Sequence, residues 1–202
     1  PKTPKPRQNN LKILVVKNKN TLLIYNYIMH KLQDNGIKPA GNFPVLLKNF
    51  YSESEEVKNR SQKDVDAYRA EHFIKVTGEN IPRPVQSFEE SSLPKYLVDQ
   101  LKTHFNKPSV IQSQSWPVAL QGRDFIGVAQ TGSGKTLSFI MPAIVHVMAQ
   151  DMIKKGDGPI VLILSPTREL AVQIQDQAIK FAQVCQLSSL AVYGGAPKYG
   201  QK

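Results

Sequence analysis

Apolar positions are spread unevenly along this chain, and the unevenness divides it. Residues 1–10 are rich in Pro and Lys and hold no aliphatic or aromatic residue, which predicts a disordered tail. The run L-K-I-L-V-V at 11–16 predicts a short strand. Residues 21–32 mix apolar and polar types without a clean period, and 36–44 hold two glycines and two prolines, which predicts a loop. Ser61, followed three residues on by Asp64, marks a helix start that Val65, Tyr68 and Arg69 continue. The stretch I-P-R-P at 81–84 is held extended by its prolines.

From Phe88 the pattern becomes regular. Pro94 suits a first helical turn, and Leu97, Val98, Leu101 and Phe105 follow at helical spacing. Ser109 caps a second helix that runs to about Leu120. Residues 124–129 predict a buried strand, and Gly134 opens a helix that is apolar nearly all round. A second buried strand is expected at 159–165, a long helix at 167–184 and a third strand at 190–193. Strands that are apolar throughout and alternate with helices predict an α/β fold, a parallel sheet with helices on both faces.

Composition narrows the classes. Of 202 residues 41% are hydrophobic, enough for a core and too many for a fully disordered chain. Cys185 is the single cysteine, so a disulfide-stapled scaffold is excluded. The apolar runs are too short to cross a bilayer, and the start P-K-T-P-K-P-R does not resemble a signal peptide. An intracellular soluble protein with no membrane partner is expected. The net charge of +10 suggests nucleic acid, yet its location qualifies that. Residues 1–50 carry nine Lys/Arg against Asp34 alone, a balance of +8, whereas 51–202 stand at +2. Any grip on nucleic acid by the regular part must come from a few placed groups. The four histidines show no metal-ligand spacing.

The clearest chemistry lies at 129–136, A-Q-T-G-S-G-K-T, between a predicted strand and a predicted helix. That context is what a phosphate-binding loop requires. Gly132 and Gly134 let backbone N–H groups converge on an anion, and the helix start adds its positive end. Lys135 suits the β and γ phosphates, and the Thr136 hydroxyl suits Mg²⁺. Ala129 stands where the usual pattern has Gly, which is tolerable if its φ is negative. A phosphate loop does not choose a base. Upstream, Gln112 offers an amide that donates and accepts at once, matching adenine N6 and N7, and Phe105 offers a flat face for stacking. Taken alone, these two read more readily as a solvated glutamine and a core phenylalanine.

Order changes that weighting. Phe88, K-P-S-V-I-Q at 107–112, the loop at 129–136, P-T-R-E-L-A at 166–171 and the doublet Gly194-Gly195 together resemble the N-terminal half of a DEAD-box RNA helicase. F-Y at 50–51, V-x-x-Y-R at 65–69, P-A-I-V-H at 142–146 and Y-G-G-A-P-K at 193–198 are similar to the nuclear RNA helicase subfamily of sixty-eight kilodaltons and its yeast and insect relatives. The resemblance covers about 48–202. It implies a basic segment at 1–47, a subfamily flank at 48–87 and a first RecA-like domain, a P-loop NTPase sheet, at 88–202 that is incomplete at its end. It implies a nucleotide site of Phe105, Asn106, Lys107 and Gln112 with Ala129, Gln130, Thr131, Gly132, Ser133, Gly134, Lys135 and Thr136. Of these, Lys135 and Thr136 would serve catalysis, and Thr136 the metal. Pro166, Thr167, Arg168, Gly194 and Gly195 would contact RNA. The implied cofactors are ATP and Mg²⁺. The implied partners are single-stranded and duplex RNA and ribonucleoprotein components, for a monomer located in the nucleus and to some extent the cytoplasm. His104 and Ser165 depart from the family pattern without removing a motif residue.

No D-E-A-D occurs in the 202 residues. The acid pair that holds Mg²⁺ and the family's second domain are therefore not in this sequence, and the 202-residue polypeptide is expected to bind ATP and hydrolyse it negligibly. The alternative is a non-catalytic ATP- and RNA-binding fragment or a degenerate product. A sheet lacking strands is also expected to expose an edge and apolar surface.

Overall fold

The computed structural model describes residues 11–15, 47–151 and 158–195, with 11–15 described as backbone only. The expected tail at 1–10, the segment at 21–32 and the loop at 36–44 lie outside the described residues. The elements are β1 (Leu11–Val15), α1 (Glu55–Asn59), α2 (Gln62–Glu71), β2 (Ile74–Thr77), α3 (Lys95–Lys102), α4 (Val110–Ala119), β3 (Phe125–Val128), α5 (Lys135–Met148) and α6 (Arg168–Ala182).

Helix starts fall where the sequence places them, because caps are local chemistry. The Ser61 hydroxyl accepts from Asp64 N at the head of α2, and the Thr167 hydroxyl accepts from Leu170 N at the head of α6. Each satisfies one of the N–H groups a helix start leaves without a partner. Pro94 sits at the cap of α3, Ser109 at the cap of α4 and Gly134 at the cap of α5. At the end of α2, Phe73 takes a left-handed φ of 54° and turns the chain into β2.

The core is mainly helical. Trp116, Leu97, Leu101, Met141 and Phe181 are fully buried with Phe88 and Ile140, each contributing about 1.5–3 kcal/mol by leaving water. Trp116 of α4 also donates its indole N–H to Leu137 O of α5 at 3.0 Å, so the two helices share a buried bond as well as apolar surface. The flank belongs to the same body. Phe50 N donates to Leu120 O at 2.7 Å, and Arg60 bridges Pro84 O and the Glu90 carboxylate, with Arg60 and Glu90 both largely buried.

The sheet differs from the expected one. Its order is β2-β1-β3, with β1 parallel to β2 from Leu11↔Ile74 to Leu14↔Thr77 and antiparallel to β3 from Lys12↔Val128 to Val15↔Phe125. Of the three apolar segments expected to pair in parallel, only 124–129 contributes a strand. Residues 161–165 and 187–193 have no assigned strand. A strand needs a neighbour to receive its N–H and C=O groups, and apolar sequence records only what favours burial. The result is a bare row: Ile126 and Val128 are each 55% exposed, and Leu162, Leu164, Leu190 and Val192 are more exposed still. Among the described residues nothing covers these apolar side chains. On its other face β3 is covered, with Phe125 packed near Ile111 and Val118 of α4.

Candidate functional site

The chain leaves β3, passes through 129–134 and enters α5, and two glycines make the turn. Gly132 (φ 78°) and Gly134 (φ 88°) take left-handed conformations that an L side chain adopts only under strain. Ala129 is not among the positive-φ residues, so an alanine serves at that position. Gly134 is also hemmed in. A Cβ there would lie 2.6 Å from Gln112 Nε2 and 2.7 Å from Ser109 Oγ, whereas one on Gly132 would meet open space.

Lys135 folds back over the loop. Its ammonium donates to Ala129 O at 2.7 Å and to Gln130 O. Inside the turn the Ser133 hydroxyl is buried without a hydrogen-bond partner, the kind of group a bound anion would satisfy. Thr136 is half-buried in the first turn of α5, and Gln130, Thr131 and Gly132 face solvent.

Gln112 reaches the loop from the side. Its Oε1 accepts from Ser109 N at 3.0 Å, the return half of a capping box. Its Nε2 donates to Gly134 O at 3.1 Å. The side chain is nearly buried, so it is not a solvated helix glutamine. A carboxamide carries two N–H donors and two lone pairs. These two bonds use one of each and leave one of each, the pair that an adenine edge requires. Phe105 also departs from the bland expectation. It is 42% exposed and lies with Asn106 and Lys107 on the exposed turn between α3 and α4. Its neighbour His104 makes edge contacts to both Phe105 and the buried Phe181, which anchors that turn to the core.

The second group of residues lies at the head of α6. Pro166, Thr167 and Arg168 are exposed there. The Arg168 guanidinium carbon lies 4.5 Å from the centre of the Tyr193 ring, which brings it beside the exposed doublet Gly194-Gly195. Both glycines are open to close approach, and Gly195 has φ 78°. The fold thus joins Arg168 to the doublet through Tyr193, a residue to which the sequence alone gives no role in the site. The Ser109–Gln112 reciprocity was missed as well; S-x-x-Q at 109–112 is its signal. Among the described residues no group of three or more His, Cys, Asp or Glu lies together. No helix there is long and apolar enough to cross a membrane.

Residues 109–202 match the DEAD/DEAH box helicase family. The ATP-dependent RNA helicase DBP2 of Vanderwaltozyma polyspora is 49% identical over 86% of this chain and 40% of its own length. That of Aspergillus oryzae is 52% identical over 78% of this chain and 28% of its own. Residues 109–202 are thus a DEAD-box segment. Among solved structures, the RNA helicase Prp28 from Chaetomium thermophilum bound to ADP superposes with a TM-score of 0.66 and 38% identity, over 75% of this chain and 37% of that one. Yeast Prp28, a DEAD-box splicing factor, gives 0.61 and 31%, over 71% and 36%. The chain has the α/β, RecA-like fold class of those neighbours, and it spans well under half the length of the relatives it matches. The fungal DBP2 proteins fit the subfamily resemblance carried by residues 48–202.

Proposed function

We propose that this chain supplies the ATP-binding half and part of the RNA grip of an ATP-dependent RNA helicase, which couples RNA-stimulated ATP hydrolysis to local opening of RNA duplexes. The observation that carries the reading is the bond from Gln112 to Gly134 O: the base-reading amide and the phosphate loop form one hydrogen-bonded unit. The spare donor and acceptor of Gln112 take adenine N6 and N7, and the exposed face of Phe105 is available for stacking. The turn from Ala129 to Thr136 takes the phosphates. Lys135 exchanges its two carbonyl partners for phosphate oxygens, and the Ser133 hydroxyl gains the partner it lacks. The Thr136 hydroxyl would hold Mg²⁺, and that ion would neutralise phosphate charge.

On the RNA side, Thr167, Arg168 and the glycine doublet hold backbone phosphates of a single strand. A charged fork, a helix start and glycine-lined backbone suit that role. Ribonucleoprotein components are proposed as partners, and a monomeric, nuclear protein is proposed from the same resemblance. Sedimentation and a fluorescent fusion of the full-length protein check the last two.

The test uses the 202-residue polypeptide. Displacement of a fluorescent ADP should be stronger with ATP than with GTP, and Lys135→Ala should remove binding of both. Single-stranded RNA should bind in preference to DNA of the same sequence. ATP turnover should be negligible with or without RNA, since no D-E-A-D occurs in these residues. Equal displacement by GTP would refute the adenine assignment. RNA-stimulated turnover that Lys135→Ala eliminates would refute the need for the acid pair.

A further inference from the structure

Gln112 stands at the head of a run of four consecutive buried polar residues, Gln112 to Ser115, and the first three make side-chain hydrogen bonds to other elements. Gln112, Ser113 and Gln114 are at most 5% exposed. Successive helix positions point about 100° apart, so the three side chains leave α4 in different directions. Gln112 turns to the phosphate loop, and the other two turn to the flank. Tyr68 OH donates to Ser113 Oγ at 3.1 Å. Arg69 donates from Nε to Gln114 Oε1 at 3.0 Å and from Nη2 to Pro82 O at 3.1 Å. Gln114 Nε2 closes the set by donating to the same carbonyl at 2.9 Å. The buried strip 82–85 is pinned to α4 as well, through Val85 N to Ser113 O at 2.9 Å.

We propose that Tyr68 and Arg69 of α2 are positioning residues for adenine nucleotide recognition: through Ser113 and Gln114 they set the rotation and height of α4, and thereby hold Gln112 at the phosphate loop. This rests on the reading of Gln112 as the adenine contact. The clearance at the loop is what makes position matter. Gln112 Nε2 lies 3.1 Å from Gly134 O, near the long end of a good hydrogen bond, and the missing Cβ of Gly134 leaves no slack on the near side. A shift of α4 by about 0.5 Å is enough to lose the productive geometry of a binding group. The bonds that resist such a shift are directional. The Arg69 guanidinium is a rigid planar fork that fixes two acceptors at once, a task lysine cannot perform. Burial lowers its pKa from the ordinary value, and no carboxylate accepts from it in this cluster. Its partners are an amide oxygen and a backbone carbonyl, both neutral and both fixed in the fold.

The experiment compares Tyr68→Phe and Arg69→Lys with the unsubstituted 202-residue chain and with Gln112→Ala. For each, affinities for ADP, GDP and inorganic tripolyphosphate are measured by displacement of a fluorescent nucleotide, and the thermal midpoint is recorded beside them. The expected result is a loss of about tenfold in ADP affinity, half on a logarithmic scale of the roughly hundredfold that a misplacement of about 1 Å can cost. GDP and tripolyphosphate should be unchanged, so that the preference for adenine falls. A role in stability alone lowers the midpoint and leaves the ADP-to-GDP ratio intact, and that result overturns the proposal. So does a parallel loss for ADP and tripolyphosphate, which places the defect in the loop. If Gln112→Ala itself leaves the ratio unchanged, the adenine reading has failed. If Gln112→Ala lowers the ratio and the two flank variants do not, the positioning role alone has failed. Should Arg69→Lys not fold, Tyr68→Phe, which removes one hydroxyl, decides.

Discussion

Gly132 and Gly134 provide a controlled pair, because both hold left-handed backbone and only one is crowded. In Gly132→Ala the new methyl meets open space, so the cost is the left-handed strain of an L residue, about 1–2 kcal/mol. In Gly134→Ala the same strain applies at φ 88°, and the methyl arrives 2.6 Å from Gln112 Nε2 with Ser109 Oγ at 2.7 Å on its other side. The amide end of Gln112 is the part able to move, and moving it surrenders the bond to Gly134 O. Leaving those buried groups without partners adds about 1–3 kcal/mol. For a domain of this size each kcal/mol lowers the melting midpoint by roughly 2–4 °C. Gly134→Ala should therefore melt about 2–12 °C below Gly132→Ala by circular dichroism. It should also lose adenine preference, because Gln112 is displaced, whereas Gly132→Ala should keep it. Equal midpoints for the two variants would show that Gln112 and Gly134 are not in contact, and the account of the site as one unit would fall.

Arg168→Ala should weaken single-stranded RNA binding about ten- to a hundredfold, the loss of one charge-assisted bond, and should flatten the salt dependence of binding by about one ion. Tyr193→Leu should cost only about two- to fivefold, the worth of an exposed cation–π contact, and the double variant should lose less than the two combined; strict additivity argues against the stacking seen at 4.5 Å. Trp116→Phe should destabilise by about 2–3 kcal/mol in urea, because it opens a cavity and strips Leu137 O of its donor; a loss under half of that would mean the indole N–H is not engaged. Leu162→Thr with Leu164→Thr should reduce self-association in light scattering while changing stability by less than about 0.5 kcal/mol, as for exposed side chains elsewhere; a large drop in stability would show that these residues are packed.

What could be read from the sequence was local. Ser61, Ser109 and Thr167 announce their helices because a cap is made within four residues, and the phosphate loop announces itself because its glycines answer a backbone requirement. The strand at 11–15 was legible from its apolar run, but its place between β2 and β3 was not, since pairing is decided by distant chain. The segments 159–165 and 190–193 read as buried strands, and among the described residues they lack the neighbours that would make them so. Phe105 looked like the last core residue of α3 and instead lies exposed beyond it. Taken without the motif order, Gln112 reads as a solvated helix residue, and it is nearly buried. In both cases helical period alone misjudged a position near a helix end, where the chain turns and the period no longer governs direction.

The hold of Lys135 on Ala129 O and Gln130 O gives the loop a threshold. A ligand does not simply add to this site; it must outbid two carbonyls for an ammonium ion. Adenosine carries no charge with which to compete, however well its base fits Gln112. A polyphosphate carries several, and it brings acceptors stronger than a peptide oxygen. Charge therefore acts as the entry condition and base identity as the second filter, so that within the chain's own chemistry recognition has an order.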